Sequence, residues 1–281
     1  MDDLHAINEA LNRRAGRKLI PSIGVSLSLV TIVWATLAYH RALFAFLVGL
    51  AVILGIREIV RAFALAKTFV SEVALIVATL ALVIATWRGG AAGLAVATAM
   101  SLPILLVDLL RRGPDGFVKS ATATSLVLIY LPFLAGFLIL LARPSDGLSR
   151  VMTFVILVSC NDTFGYLVGV LFGRHPLAPT ISPKKSWEGF AGSIIFTFLG
   201  GALSFHYLLH LHWWIGAVIG LMVVITATSG DLIESAMKRD LSLKDMGSIL
   251  PGHGGILDRL DSVLYTAPAL WLALELIRRY L

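Results

Sequence analysis

The sequence is short of charge and almost without cysteine. Only 14% of its 281 residues are Asp, Glu, Lys or Arg, whereas water-soluble domains carry about 25%. That deficit excludes an ordinary soluble enzyme or a solvated binding module. The single cysteine, Cys160, cannot close an intrachain disulfide, and no zinc site can be built on thiolates. Acidic residues are outnumbered, 17 against 23 basic, for a net charge of +6. Internal repeats and low-complexity tracts are absent, as is any polar stretch long enough for a soluble domain. What remains is apolar: 58% of the residues are hydrophobic and the mean hydropathy is +0.88.

A bilayer core about 30 Å thick requires about 20 apolar residues per helical crossing. Candidate spans fall near 19–38, 42–56, 67–87, 91–110, 120–142, 151–172, 189–209, 213–231 and 261–277. The expected fold is therefore all-α, a polytopic integral membrane protein with about nine transmembrane helices. The second and ninth spans are short, and the second is expected either to extend through Arg57 and Arg61 by snorkelling or to lie partly in the interface. The segment before the first span, with Arg13, Arg14, Arg17 and Lys18, lacks a small-residue cleavage site and reads as the lead into a retained helix. Residues 1–281 are expected to form a single domain, with 1–142 as scaffold and 151–281 as the catalytic half.

If the N-terminus lies inside, most of the basic residues fall on the cytoplasmic side, among them Arg57, Arg61, Lys67, Arg111, Arg112, Lys119, Arg174, Lys184, Lys185, Lys238, Arg239, Lys244 and Arg259. Arg41, Arg88, Arg143, Arg150, Arg278 and Arg279 remain opposite. This asymmetry obeys the positive-inside rule. The basic surplus has anionic membrane lipids beside it and needs no nucleic-acid partner.

Polar residues enter the spans only beyond Thr153. Asn161-Asp162-Thr163 comes first, then Ser182-Pro183-Lys184-Lys185-Ser186-Trp187-Glu188-Gly189, then Ser229-Gly230-Asp231. The densest run is SAMKRDLSLKDMGSILPGHGGILDRLD, from Ser235 to Asp261. Lys238, Arg239 and Lys244 can meet phosphate oxygens through charge-assisted hydrogen bonds. Gly252, Gly254 and Gly255 free the backbone to turn its amides toward an anion. On a helix beginning near Leu257, Asp258 and Asp261 share a face and offer hard oxygens to Mg²⁺. Asp231 ends the preceding span and can converge with Asp258 on a metal. Carboxylates at membrane depth cost a few kcal/mol, so Asp231 and Asp162 are functional candidates by default. Ser186 can cap the seventh span, whose N-terminus would face an anion, with Glu188 in its first turn. Glu58 has no evident assignment, and Glu234 stands one turn beyond Asp231, within reach of Lys238.

The run from Ser235 to Asp261 resembles the signature of the CDP-diacylglycerol synthases, also called phosphatidate cytidylyltransferases. Ser235, Lys238, Arg239, Lys244, Asp245, His253, Gly254, Gly255, Asp258, Arg259 and Asp261 fill the family's pattern without departure. The segment from Asn161 to Gly189 is similar too, so the likeness covers roughly the C-terminal half. The resemblance implies transfer of CMP from CTP to phosphatidic acid, with Mg²⁺ required, a monovalent cation such as K⁺ often nearby, and a homodimer. It implies Asp231 and Asp258 as metal carboxylates, with Asp261 beside them. Lys238, Arg239 and Lys244 would act on phosphates in catalysis, and Lys184, Lys185, Ser186, Asp162, Asp245, His253, Gly254, Gly255 and Arg259 would bind substrate. The expected location is a bacterial inner membrane, with the active site facing the cytoplasm.

Two other classes fit parts of the pattern. A secondary transporter also has many spans and buried carboxylates, but its inverted repeat is missing and the polar groups here gather at one face. A polyprenol kinase would not carry the complete Lys-Arg to Asp-Arg-x-Asp pattern. His206, His210 and His212 lie beside Trp213 and Trp214 and read as interface residues rather than a metal site.

Overall fold

The computed structural model describes residues 19–243, 245–247 and 255–280. Its helices are α1 (Leu19–Tyr39), α2 (Arg41–Leu65), α3 (Glu72–Leu110), α4 (Phe117–Leu128), α5 (Leu134–Ala142), α6 (Gly147–Phe172), α7 (Trp187–Tyr207), α8 (Trp213–Asp240) and α9 (Leu257–Tyr280). The protein is an all-α membrane protein. Among the described residues, seven helical stretches are long and apolar enough to cross a membrane, α4 and α5 counting as one, and Leu27–Tyr39 is a shorter apolar helix. The expected count of nine is thus not the count of long apolar helices.

Part of the difference lies in α3. Its 39 residues would extend about 58 Å if straight, nearly twice the bilayer core. Instead the chain doubles back at Gly90, where φ is 62° and ψ −144°, a conformation that only glycine adopts without strain. The ends of α3 consequently meet: Ser71 Oγ donates to Asp108 Oδ2 at 2.6 Å. Arg143 seals the bend, Nε donating to the Trp87 carbonyl at 2.9 Å and Nη2 to that of Arg88 at 3.0 Å. A cation placed on the last carbonyls of a helix satisfies orphan acceptors and the dipole together. Arg41 does the same for the next turn, donating to the carbonyls of Arg143 and Pro144. Both arginines belong to the minority that the charge bias set on the far side, and local capping accounts for them there.

α4 runs into α5 through a π-helical turn, Ile129–Phe133, containing Pro132. Proline lacks the N–H that an α-helical ladder needs, and a widened turn accommodates it. The two short spans are longer than apolar counting suggests. α2 continues through Arg57 and Arg61 to Leu65, and α9 begins at Leu257. Their polar ends carry charge that is excluded from an apolar window but not from a helix.

Helices α6, α7 and α8 pack closest. Phe164 and Phe196 stack with centroids 3.7 Å apart, and Gly201 of α7 faces Gly216 of α8 so closely that a side chain on either would overlap the other's carbonyl. Small residues are what allow helices to approach in lipid, where dispersion replaces the hydrophobic effect. Between α6 and α7 the chain makes an antiparallel hairpin of β1 (Pro176–Ala178) and β2 (Ser182–Ser186), pairing Pro176 with Ser186 and Ala178 with Ser182. It is a departure from pure helix, in a segment where proline and paired lysines give no strand alternation to read.

Replacing Gly201 with Val forces α7 and α8 apart, at about 1–3 kcal/mol or more for overpacking. The expected outcome is a lower thermal midpoint for the detergent-purified protein, with Ile195→Val on the exposed face of α7 leaving it unchanged.

Candidate active site

The polar residues of α6, α8 and α9 meet at one end of the bundle. On α8, Asp231, Glu234 and Lys238 recur at helical spacing and share a face. α9 runs antiparallel to it, so Lys238 stands opposite Asp258, and Asp231 stands near Asp261. Gly230 makes this approach possible: a Cβ there would lie 2.9 Å from Cβ of Tyr265 and overlap the Asp261 carbonyl.

Lys238 Nζ lies 2.8 Å from Asp258 Oδ1 and 2.8 Å from Glu234 Oε1. Glu234 is fully buried, so this ion pair is what offsets its charge in a medium that does not solvate it. Asp258 is held further by backbone amides, accepting at Oδ2 from Gly255 N at 2.7 Å and Met246 N at 3.2 Å. It therefore ties together the segments that leave α8 and enter α9.

The second cluster is more open, with Asp162 exposed and Asp231 and Asp261 half-buried. Asp162 of α6 accepts from Asn161 Nδ2 at 2.9 Å and from Ser262 Oγ at 3.1 Å. Asp231 is paired with Lys185, delivered from β2. Asp261 accepts from the Ser262 amide at 2.7 Å and lies within Coulombic range of Asp231, Glu234 and Asp162. Asp162, Asp231 and Asp261 thus repel one another around one lysine. Their hard, anionic oxygens suit Mg²⁺, and their excess negative charge would be relieved by a cation. Among the described residues, no three His, Cys, Asp or Glu side chains are already grouped as metal ligands. Asp231 and Asp258, expected to converge, each face a different lysine.

Ser186 caps α7, accepting from Gly189 N at 3.1 Å. Glu188 closes the base of the hairpin, Oε2 accepting from Arg174 N at 3.0 Å and Oε1 meeting His175 Nδ1 at 2.6 Å. Lys184 is exposed beside the half-buried Lys185. Arg239 Nε donates to the Ile181 carbonyl at 3.3 Å, linking α8 to the hairpin turn. Asp245 and Arg259 are exposed and Gly255 is buried. Lys244, His253 and Gly254 lie outside the described residues.

Sequence reasoning placed Asn161 in a polar run without giving it a role, and left Ser262 and Ser193 aside. Asn161 and Ser262 hold Asp162, and Ser193 Oγ donates to the Asn161 carbonyl at 2.7 Å. Adjacency to Asp162 and Asp261 is the only signal that marks the first two. Ser193 sits nearly two turns into α7 and carries none.

Cations and carboxylates so arranged at the end of membrane helices define an integral-membrane enzyme acting on polyanionic substrates. The chain belongs to the cytidylyltransferase family, whose model matches residues 22–277. It is 37% identical over 277 residues to a protein of Mycobacterium bovis named phosphatidate cytidylyltransferase, covering 94% of this chain and 90% of that one. A protein of the same name from Mycobacterium leprae is 38% identical over 280 residues, with the same coverage. That of Staphylococcus haemolyticus is 36% identical over 173 residues, 61% of this chain and 65% of its own.

Lys238→Met leaves Glu234 and Asp258 without their counter-charge, which should cost about 3–5 kcal/mol of stability. Thermal unfolding in detergent checks it, and adding Glu234→Gln to Lys238→Met should recover part of the loss.

Proposed function

We infer that the chain transfers CMP from CTP to phosphatidic acid, yielding CDP-diacylglycerol and pyrophosphate. The observation that carries the reading is the presence of two lysine–carboxylate pairs, Lys185–Asp231 and Lys238–Asp258, contributed by β2, α8 and α9. The family and the names of its relatives agree with it. A lipid acceptor is supported by an adjoining apolar cavity of about 350 Å³, lined by residues including Phe44, Val48, Leu138, Phe154 and Leu260, with Arg259 as its one charged side chain. An acyl chain suits its walls and a phosphate suits that guanidinium.

In the reaction an oxygen of the lipid phosphate attacks the α-phosphorus of CTP, and the bond to the departing pyrophosphate breaks. The second pKa of a phosphomonoester is about 6, so the nucleophile is already largely ionised near neutral pH and no general base is required. The burden on the protein is to hold two anions in line. Lys185 and Lys238 are assigned to phosphate oxygens, with Arg239 and Lys244 beside them. Lys184, Ser186, Asp245 and His253 are assigned to substrate binding. Mg²⁺ is proposed on Asp231 and Asp261, with Asp162 in support, and Asp258 would join them by exchanging Lys238 for the cation. When bound it would neutralise charge on the attacked phosphoryl group and the leaving group. A monovalent cation, a homodimer and a cytoplasm-facing site in a bacterial inner membrane complete the proposal. The resemblance and the side-to-side bias of Lys and Arg support them.

The test is pyrophosphate release by the purified protein with CTP. Release that requires both phosphatidic acid and Mg²⁺, with a CDP-lipid product, is the expected result, and release indifferent to phosphatidic acid would refute the assignment. Asp231→Asn and Asp258→Asn should each lower turnover by about 100-fold or more while the protein still inserts in membranes. Near-normal turnover in either would remove that residue from the site.

A further inference from the structure

The most deeply buried acid outside the α6, α8 and α9 clusters is Glu58, on α2. It is 1% exposed, and it reaches across the bundle to the start of α9. Oε1 accepts from Ile256 N at 3.0 Å and Oε2 from Leu257 N at 2.9 Å. These amides belong to the first turn of α9, where N–H groups have no partner within the helix and where the dipole favours an anion. Gly255, an amide partner of Asp258, and Gly247, next to the other, close over the same Glu58 carboxylate. A Cβ at Gly255 would lie 2.5 Å from Glu58 Oε2, and one at Gly247 would overlap the carboxylate. Asp258, the next residue after Leu257, accepts from Gly255 N and Met246 N. Two carboxylates therefore hold the backbone at the start of α9, Glu58 through Ile256 and Leu257, and Asp258 through Gly255, and Asp258 also accepts from Met246 in the segment 245–247.

The geometry points to Glu58 as a positioning residue for the reaction, a carboxylate from the N-terminal half that fixes the first turn of α9 and thereby aims Asp258 at Lys238. It touches no reacting atom. Because it takes the Ile256 and Leu257 amides, those two donors are not open to a substrate phosphate. The role depends on two oxygens at the right reach rather than on charge alone. Gln keeps the reach and one accepting oxygen, whereas Asp keeps the charge but ends one methylene short.

The test combines hydrogen–deuterium exchange of the full-length protein in lipid with steady-state kinetics, for Glu58→Ala, Glu58→Gln and Glu58→Asp. The kinetic arm rests on the cytidylyltransferase reading, and the exchange arm does not. Glu58→Ala is expected to speed exchange at Ile256 and Leu257 by about tenfold or more. It should also lower kcat by about 100-fold, with KM for CTP within about threefold of wild type. Glu58→Gln should retain more protection and more kcat than Glu58→Asp. If Glu58→Ala fails to fold, the near-isosteric Gln and Asp variants carry the comparison. Unchanged exchange at Ile256 and Leu257, faster exchange with unchanged kcat, or an Asp variant more active than the Gln variant would each overturn the proposal. A protein without CTP turnover but with the expected exchange pattern would overturn the reaction and leave the anchoring intact.

Discussion

A carboxylate carried to membrane depth must be given a cation, a set of donors or both, and the site of this protein is organised around that demand. Glu234 has no solvent, so Lys238 must lie against it, and Lys238 in turn meets Asp258. Asp231 meets Lys185 in the same way. Each pairing brings together residues from separate elements, and each holds only while those elements keep their places. In low dielectric an unmatched charge is costly, so the pairs constrain the helices as much as the helices position the pairs.

The close packing of the C-terminal helices follows from this. A side chain as short as that of Ser262 reaches Asp162 only if α6 and α9 are near, and Asp231 approaches Asp261 only because Gly230 has no side chain. The hairpin has a comparable part: a flexible loop would leave Lys185 in water, whereas two paired strands and the Glu188 clamp carry it to Asp231. The same charges that hold the site together are those a polyanion would engage. Substrate phosphates and a cation would exchange partners with existing ion pairs rather than meet bare charges.

The N-terminal half is more than a frame. Its helical hairpin, bent at Gly90 and sealed by Arg143, makes a stable wall, and α2 sends Glu58 into the catalytic half. The division between scaffold spans at 1–142 and a catalytic segment at 151–281 describes where polar motifs are dense. It does not describe where the site's supports originate.

Much was legible in the residues themselves. Hydropathy dictates a helical membrane protein because backbone in lipid must satisfy its own hydrogen bonds. The density of Lys, Arg, Asp and Gly between Ser235 and Asp261 marks a polyphosphate site, and the start of α9 at Leu257 and the cap at Ser186 follow from local chemistry. Those features depend on neighbours in sequence, and so a single chain read in order suffices. Other features depend on neighbours in space. That Asp258 faces Lys238 while Asp231 faces Lys185, that Pro176–Ser186 folds as a hairpin, and that Glu58 is the anchor of α9 were decided by tertiary packing. Glu58 and Leu257 are far apart along the chain, and only the crossing of α2 beneath α9 brings a carboxylate to those two amides.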